Sequence, residues 1–175
     1  MKSLCCSVVL LFMLGACSLG VKTEQKETFV PRKVSQTIFV VPFTTIMVPA
    51  EVTEGLFDRF VDNLNAAKSG TGLEYIILKQ GLDKIDPTWL KAHDYITGEI
   101  FAYVEDAGST MASIRAKSRI RLFQSGQADA TLQLDYPVEV FYEKDRVTLG
   151  SARRQIAKKI SDSMSQKLQE ALTGS

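Results

Sequence analysis

Two adjoining stretches decide the fold: Asp94-Tyr95-Ile96-Thr97-Gly98-Glu99-Ile100 and Ser113-Ile114-Arg115-Ala116-Lys117-Ser118-Arg119-Ile120-Arg121-Leu122-Phe123. From Asp94 to Glu105 the side chains alternate, with Ile96, Gly98, Ile100, Ala102 and Val104 set against Tyr95, Thr97, Glu99, Phe101 and Tyr103. Met111 to Phe123 alternates again, and Asp106-Ala107-Gly108-Ser109 between them reads as a turn. Successive strand residues point to opposite sheet faces, so period-2 alternation marks strands with one face buried. Ser125-Gly126 makes a second turn, and Ala130 to Tyr142 a last strand or pair of strands. Proline cannot donate to a ladder, so Pro137 places that run at a sheet edge or a bulge.

Working outward toward the N-terminus, Thr37-Ile38-Phe39-Val40-Val41 is a continuous apolar run closed by Pro42, the pattern of a strand covered on both faces. Glu51 to Ala67 carries Val52, Leu56, Phe60 and Leu64 at helical spacing, with Phe57 and Val61 beside them, and ends before Gly70 and Gly72. Tyr75-Ile76-Ile77-Leu78 predicts a second buried strand, and Lys79 to Ala92 a short helical segment broken at Pro87. Toward the C-terminus, Ser151 to Leu172 places Ile156, Ile160, Met164, Leu168 and Leu172 at i+4 steps, with Ser151 as N-cap and Gly174 just past the end. The expected fold class is α/β (α+β): a mixed sheet in the order β-α-β-(α)-β-β-β-α with the helices packed on it.

The chain has 175 residues, 45% of them apolar, with 21 Lys and Arg against 20 Asp and Glu. That is room for one compact domain, and too apolar for disorder. The charge balance excludes a polycation for nucleic acid, and no stretch is long enough to span a bilayer permanently. One His and three Cys leave little material for metal or thiol chemistry, and no cofactor is expected.

Residues 1–16 have the build of a signal peptide: Lys2, then an apolar run from Leu4 to Leu14, followed by Gly15-Ala16-Cys17. Leu14-Gly15-Ala16-Cys17 resembles the lipobox of bacterial lipoproteins. The resemblance implies cleavage before Cys17, acylation of that residue and, because Ser18 rather than Asp follows, anchoring in the outer membrane with the domain facing the periplasm. Cys5 and Cys6 leave with the signal, so the mature chain carries no disulfide. Losing Lys2 also evens the charges, at 20 against 20. Residues 17–36 are polar, contain Pro31 and show no sustained period, so a lipidated Cys17 and a flexible tether are expected there, followed by a single α/β domain over 37–175.

The most conspicuous candidate site is Arg115, Lys117, Arg119 and Arg121, every second residue of one strand and hence on one sheet face. As a stripe it suits an anionic glycolipid or an acidic protein surface. As a ladder it suits the acidic neighbours Glu99 and Glu105 on the preceding strand and Asp135 and Glu139 on the following one, pairs that fix register. No catalytic residues stand out. His93 has no partners at ligand or triad spacing, Asp83, Asp86 and Asp94 are interspersed with lysines as on a solvated face, and Trp89 reads as packing. Ser69-Gly70-Thr71-Gly72 lacks the lysine of a phosphate-binding loop and follows a helix, not a strand.

Ile38-Phe39-Val40-Val41-Pro42-Phe43, Leu73-Glu74-Tyr75-Ile76-Ile77-Leu78 and His93-Asp94-Tyr95-Ile96-Thr97-Gly98-Glu99-Ile100 together resemble the domain shared by the curli-secretion lipoprotein and the amino-terminal domain of the Tol-associated propeller protein. That likeness implies a non-catalytic adaptor or assembly factor for an envelope protein complex. There is no spare segment for the membrane-inserting hairpins of its pore-forming members. The last half is also similar to the lipopolysaccharide-assembly lipoprotein, which implies a basic strand facing anionic glycolipid.

Overall fold

The computed structural model describes residues 20–31, 36–67 and 72–174. Its elements are β1 (Lys22–Gln25), β2 (Gln36–Val40), β3 (Thr44–Thr45), α1 (Ala50–Ala66), β4 (Leu73–Ile77), a 3-10 turn (Leu82–Lys84), α2 (Pro87–Ala92), β5 (Tyr95–Ala107), β6 (Met111–Phe123), β7 (Leu132–Glu143) and α3 (Leu149–Thr173). They build one mixed sheet in the order β1-β7-β6-β5-β2-β4, with β3 pairing β5. The neighbours β5–β6, β6–β7 and β1–β7 are antiparallel, and β2 runs parallel to both β4 and β5.

The alternation of β6 separates its two faces cleanly: Ile114, Ala116, Ile120 and Leu122 are buried. Helices α1 and α3 cover that face. On α3 the i+4 residues Ile156, Ile160, Met164, Leu168 and Leu172 are buried, and on α1 so are Val52, Leu56, Phe60 and Leu64. Each such side chain contributes about 1.5–3 kcal/mol by leaving water. Small residues bring the two helices together: the Ser161 hydroxyl donates to the Leu56 carbonyl at 2.9 Å, and a Cβ on Gly55 would stand 4.0 Å from that of Ala157. Thr148, rather than Ser151, caps α3, its hydroxyl accepting from the Ser151 amide at 3.2 Å. Gly174 closes it in the left-handed conformation that glycine adopts without steric cost.

Three other expectations change. Pro87 starts α2 instead of breaking a helix, because the first helical turn needs no amide donor; Asp86 caps it by accepting from the Thr88 amide at 2.6 Å. Strand β4 is an edge strand with Ile76 and Ile77 exposed, not a strand buried on both faces. The segment expected as tether is in part sheet. Lys22 to Gln25 pairs with Asp135 to Leu132, and Val21 and Phe29 pack on the core. Beyond β1 the Val30 amide donates to Gln124 Oε1 at 3.0 Å, and Gln124 Nε2 donates back to the Val30 carbonyl at 2.7 Å. A buried side-chain amide thus takes the part of a strand neighbour, and the folded unit includes residues well before Thr37. Ser69 to Thr71 and the proposed anchor Cys17 lie outside the described residues.

Candidate functional site: the uncovered sheet face

The face opposite α1 and α3 is covered at one end only. There α2 sits over β2, with the rings of Phe39 and Trp89 4.7 Å apart and the His93 ring stacked on Trp89 at 4.1 Å. His93 Nδ1 lies 2.7 Å from the Trp89 carbonyl, so the histidine closes its own short helix. Asp94 does not belong to a solvated face. It is buried, accepting from the Ser125 amide at 2.7 Å and from Gln36 Nε2 at 3.3 Å, contacts that tie the β6–β7 turn to the start of β2. Among the described residues no group of three or more His, Cys, Asp or Glu is placed to hold a metal ion, and no helix is long and apolar enough to cross a membrane.

The four basic residues of β6 lie on this face, three of them against carboxylates. Arg119 donates from Nε to Asp135 at 2.6 Å and has Glu99 3.6 Å from Nη1, while its guanidinium lies 4.9 Å from the Phe101 ring centroid. The bond to Asp135 raises the Arg119 pKa further above its ordinary value, against the opposing cost of burial. Arg121 reaches Glu99 at 3.2 Å, and Arg115 holds Asp106, with Glu139 3.9 Å away. Lys117 differs. The residues opposite it are Ala102 on β5 and Pro137 on β7, and it makes no ion pair among the described residues. Beside it a shallow groove of about 350 Å³ runs over Ala102, Val104, Arg115, Pro137 and Glu139.

Glu105 is absent from this ladder. The register of β5 on β6 shifts between Ile100 and Ala102, which makes Phe101 an extra, bulged residue. One inserted residue exchanges the faces of everything after it. Tyr103 and Glu105 therefore join the helix side, where the Tyr103 hydroxyl donates to Glu105 at 2.6 Å and Arg153 of α3 donates to it at 2.8 Å. Hydrogen bonding from Arg153 lowers the Glu105 pKa, while burial first, and then the adjoining carboxylate, raise that of Tyr103. Asp106 takes the place on the open face that Glu105 was expected to fill. Unbroken alternation gave no sign of the bulge. The exchange of Glu105 for Asp106 as the carboxylate that Arg115 holds became visible only in the ladder itself.

Toward the end of the sheet that holds the β5–β6 turn, the face carries the exposed apolar side chains of Val104, Met111 and Phe141. The face thus offers a ladder neutralised by its neighbours except at Lys117, and a shallow groove.

No family model matches this chain, and neither does any curated protein sequence. Solved structures do share its architecture. PelC from Paraburkholderia phytofirmans, a dodecamer, is 11% identical over 83% of this chain and 96% of its own, at a TM-score of 0.55. Protein XCC0632 from Xanthomonas campestris, of the DUF330 family, is 12% identical over 86% of this chain and 91% of its own, at 0.50. A looser likeness, at 0.47, is to lipoprotein GNA1162 from Neisseria meningitidis, 11% identical over 76% of this chain and 97% of its own. At these identities the first two establish a shared fold, an α+β domain found in bacterial proteins.

Proposed function

We propose that this chain is a lipoprotein of the bacterial cell envelope, anchored in the outer membrane through acyl chains on Cys17 and facing the periplasm, that acts as a non-catalytic adaptor for another envelope protein. The observation that carries the reading is the short step from anchor to domain. The Leu14-Gly15-Ala16-Cys17 motif is followed within five residues by β1, a strand of the central sheet. Two or more acyl chains give a durable hold on a membrane where one does not. The partner surface belongs at the end of the sheet away from the β5–β6 turn. There β4 leaves Ile76 and Ile77 exposed beside Leu82, next to a depression of about 270 Å³ lined by Leu78, Ile85 and Trp89.

The glycolipid reading is weaker on the same geometry. Arg115, Arg119 and Arg121 already hold carboxylates, so each would exchange one anion for another on binding a phosphate. A photo-crosslinking residue at Leu82 in native envelopes tests the adaptor role, with one discrete protein adduct expected. An adduct with lipopolysaccharide, or none at all, overturns it. Cys17→Ala should move the chain from the membrane to the soluble fraction, and persistence in the membrane removes the anchor.

A further inference from the structure

We propose that the end of the domain carrying the β5–β6 turn lies on a phospholipid surface, with Val104, Met111 and Phe141 as the side chains that enter it. The inference rests on acylation of Cys17. Its independent support is the direction in which the chain leaves the sheet. Lys22 pairs with Asp135 and Gln25 with Leu132, so β1 read backwards advances along β7 toward Pro137 and Phe141. Five residue steps separate Lys22 from Cys17, at most about 18 Å of extended chain. The six steps from Asp135 to Phe141 span about 20 Å, so an extended Cys17 arrives nearly level with Phe141.

Three exposed apolar side chains gather within two rungs of that level. Phe141 is 64% exposed, and Met111 pairs with Glu143 at the last rung of β6 and β7. The bulge at Phe101 turns Val104 to the open face, opposite Arg115. Side chains of this kind sink about 5–10 Å into a lipid interface. Next to them Arg115 is paired with Asp106 and Arg146 with Glu143, and Lys117 lies two rungs or more farther up the ladder, opposite Pro137, so insertion is driven by apolar burial and needs no anionic lipid.

The test uses the full acylated chain in phosphatidylcholine vesicles that contain nitroxide-labelled lipid. A fluorophore is placed at Phe141→Cys, at Met111→Cys or, as a control, at exposed Thr88→Cys on α2, and the mass of the residue 17 peptide is read on the same sample. Several-fold stronger quenching at 141 and 111 than at 88, unchanged by added salt, is the expected result. Equal quenching at all three sites with Cys17 acylated overturns this proposal and leaves the anchor standing. An unmodified Cys17 overturns the lipoprotein reading and this proposal with it. A protein crosslinked at 141 in native envelopes also overturns it, giving that end to a partner instead.

Discussion

Arg153 Nε lies 2.8 Å from Glu105 on the helix side of β5, while Asp106, the next residue, grips Arg115 on the opposite side. The two adjacent carboxylates therefore do different work. Glu105 fastens the first turns of α3 to the sheet and also accepts from Tyr103, whereas Asp106 joins an exposed rung. Glu105→Ala should lower unfolding stability by about 1 kcal/mol, and Asp106→Ala by no more than about 0.5. Urea midpoints compare the two directly. Deleting Phe101 makes a sharper case. It removes the bulged residue and leaves every other residue of β5 on its present face, so the deletion should yield a folded domain with the Arg153–Glu105 bond intact.

The basic strand divides into held and free positions. Arg119 sits between Asp135 and Glu99 and over Phe101, so Arg119→Glu sets three carboxylates together on one face. It should cost about 1–2 kcal/mol, since like charges directly across strands repel. Lys117→Glu, opposite Ala102 and Pro137, should be nearly neutral in thermal melts. Equal losses at the two positions would show that the ladder pairs contribute nothing.

Gly98 is a glycine because of a ring. A Cβ there would stand 2.4 Å from Phe43, which itself packs against Phe57 and Phe60 with centroids 5.2 Å away. Gly98→Ala must push the ring out of its place, at a cost of about 1–3 kcal/mol. The double variant Gly98→Ala with Phe43→Leu should recover part of the loss, as a denaturant series on the four proteins would show.

Asp162 on α3 accepts from Arg59 Nε at 2.6 Å, from Lys158 at 2.7 Å and from Asn63 at 3.0 Å. The bond from Arg59 does most to hold its carboxyl far below the ordinary value of 3.8. A depressed folded-state pKa contributes stability that is complete above the unfolded value and is lost as pH falls toward the folded one. Stability should therefore decline below about pH 4. Asp162→Asn should flatten that acid limb while lowering the neutral plateau. Melting temperatures between pH 2 and 7 would reveal an unchanged acid limb if the Arg59 contact were idle.

What could be read from residue order was whatever repeats locally. The strand alternation of Met111 to Phe123 and the i+4 ladder of Ile156 to Leu172 each announce a buried face, and both faces are where they were expected. Features that depend on distant partners were hidden. Lys22 to Gln25 is polar throughout and exposed, so nothing in its composition signals a strand; it is one because β7 offers it an edge. Asp94 looks solvated beside Lys91 until Ser125 and Gln36 reach it. The bulge at Phe101 has no local mark at all, which is why Glu105 was assigned to the wrong face of the site.

The pairing of β1 with β7 also sets an order of events. Lys26 and its partner Asp129 are 103 residues apart in the chain, and the strand ahead of Lys26 waits on the same stretch. Contacts that close so long a loop are slow to form. During synthesis the β1 segment emerges first yet has nothing to pair with until β7 has followed it. The sheet edge that β1 forms therefore closes only once β7 is in place.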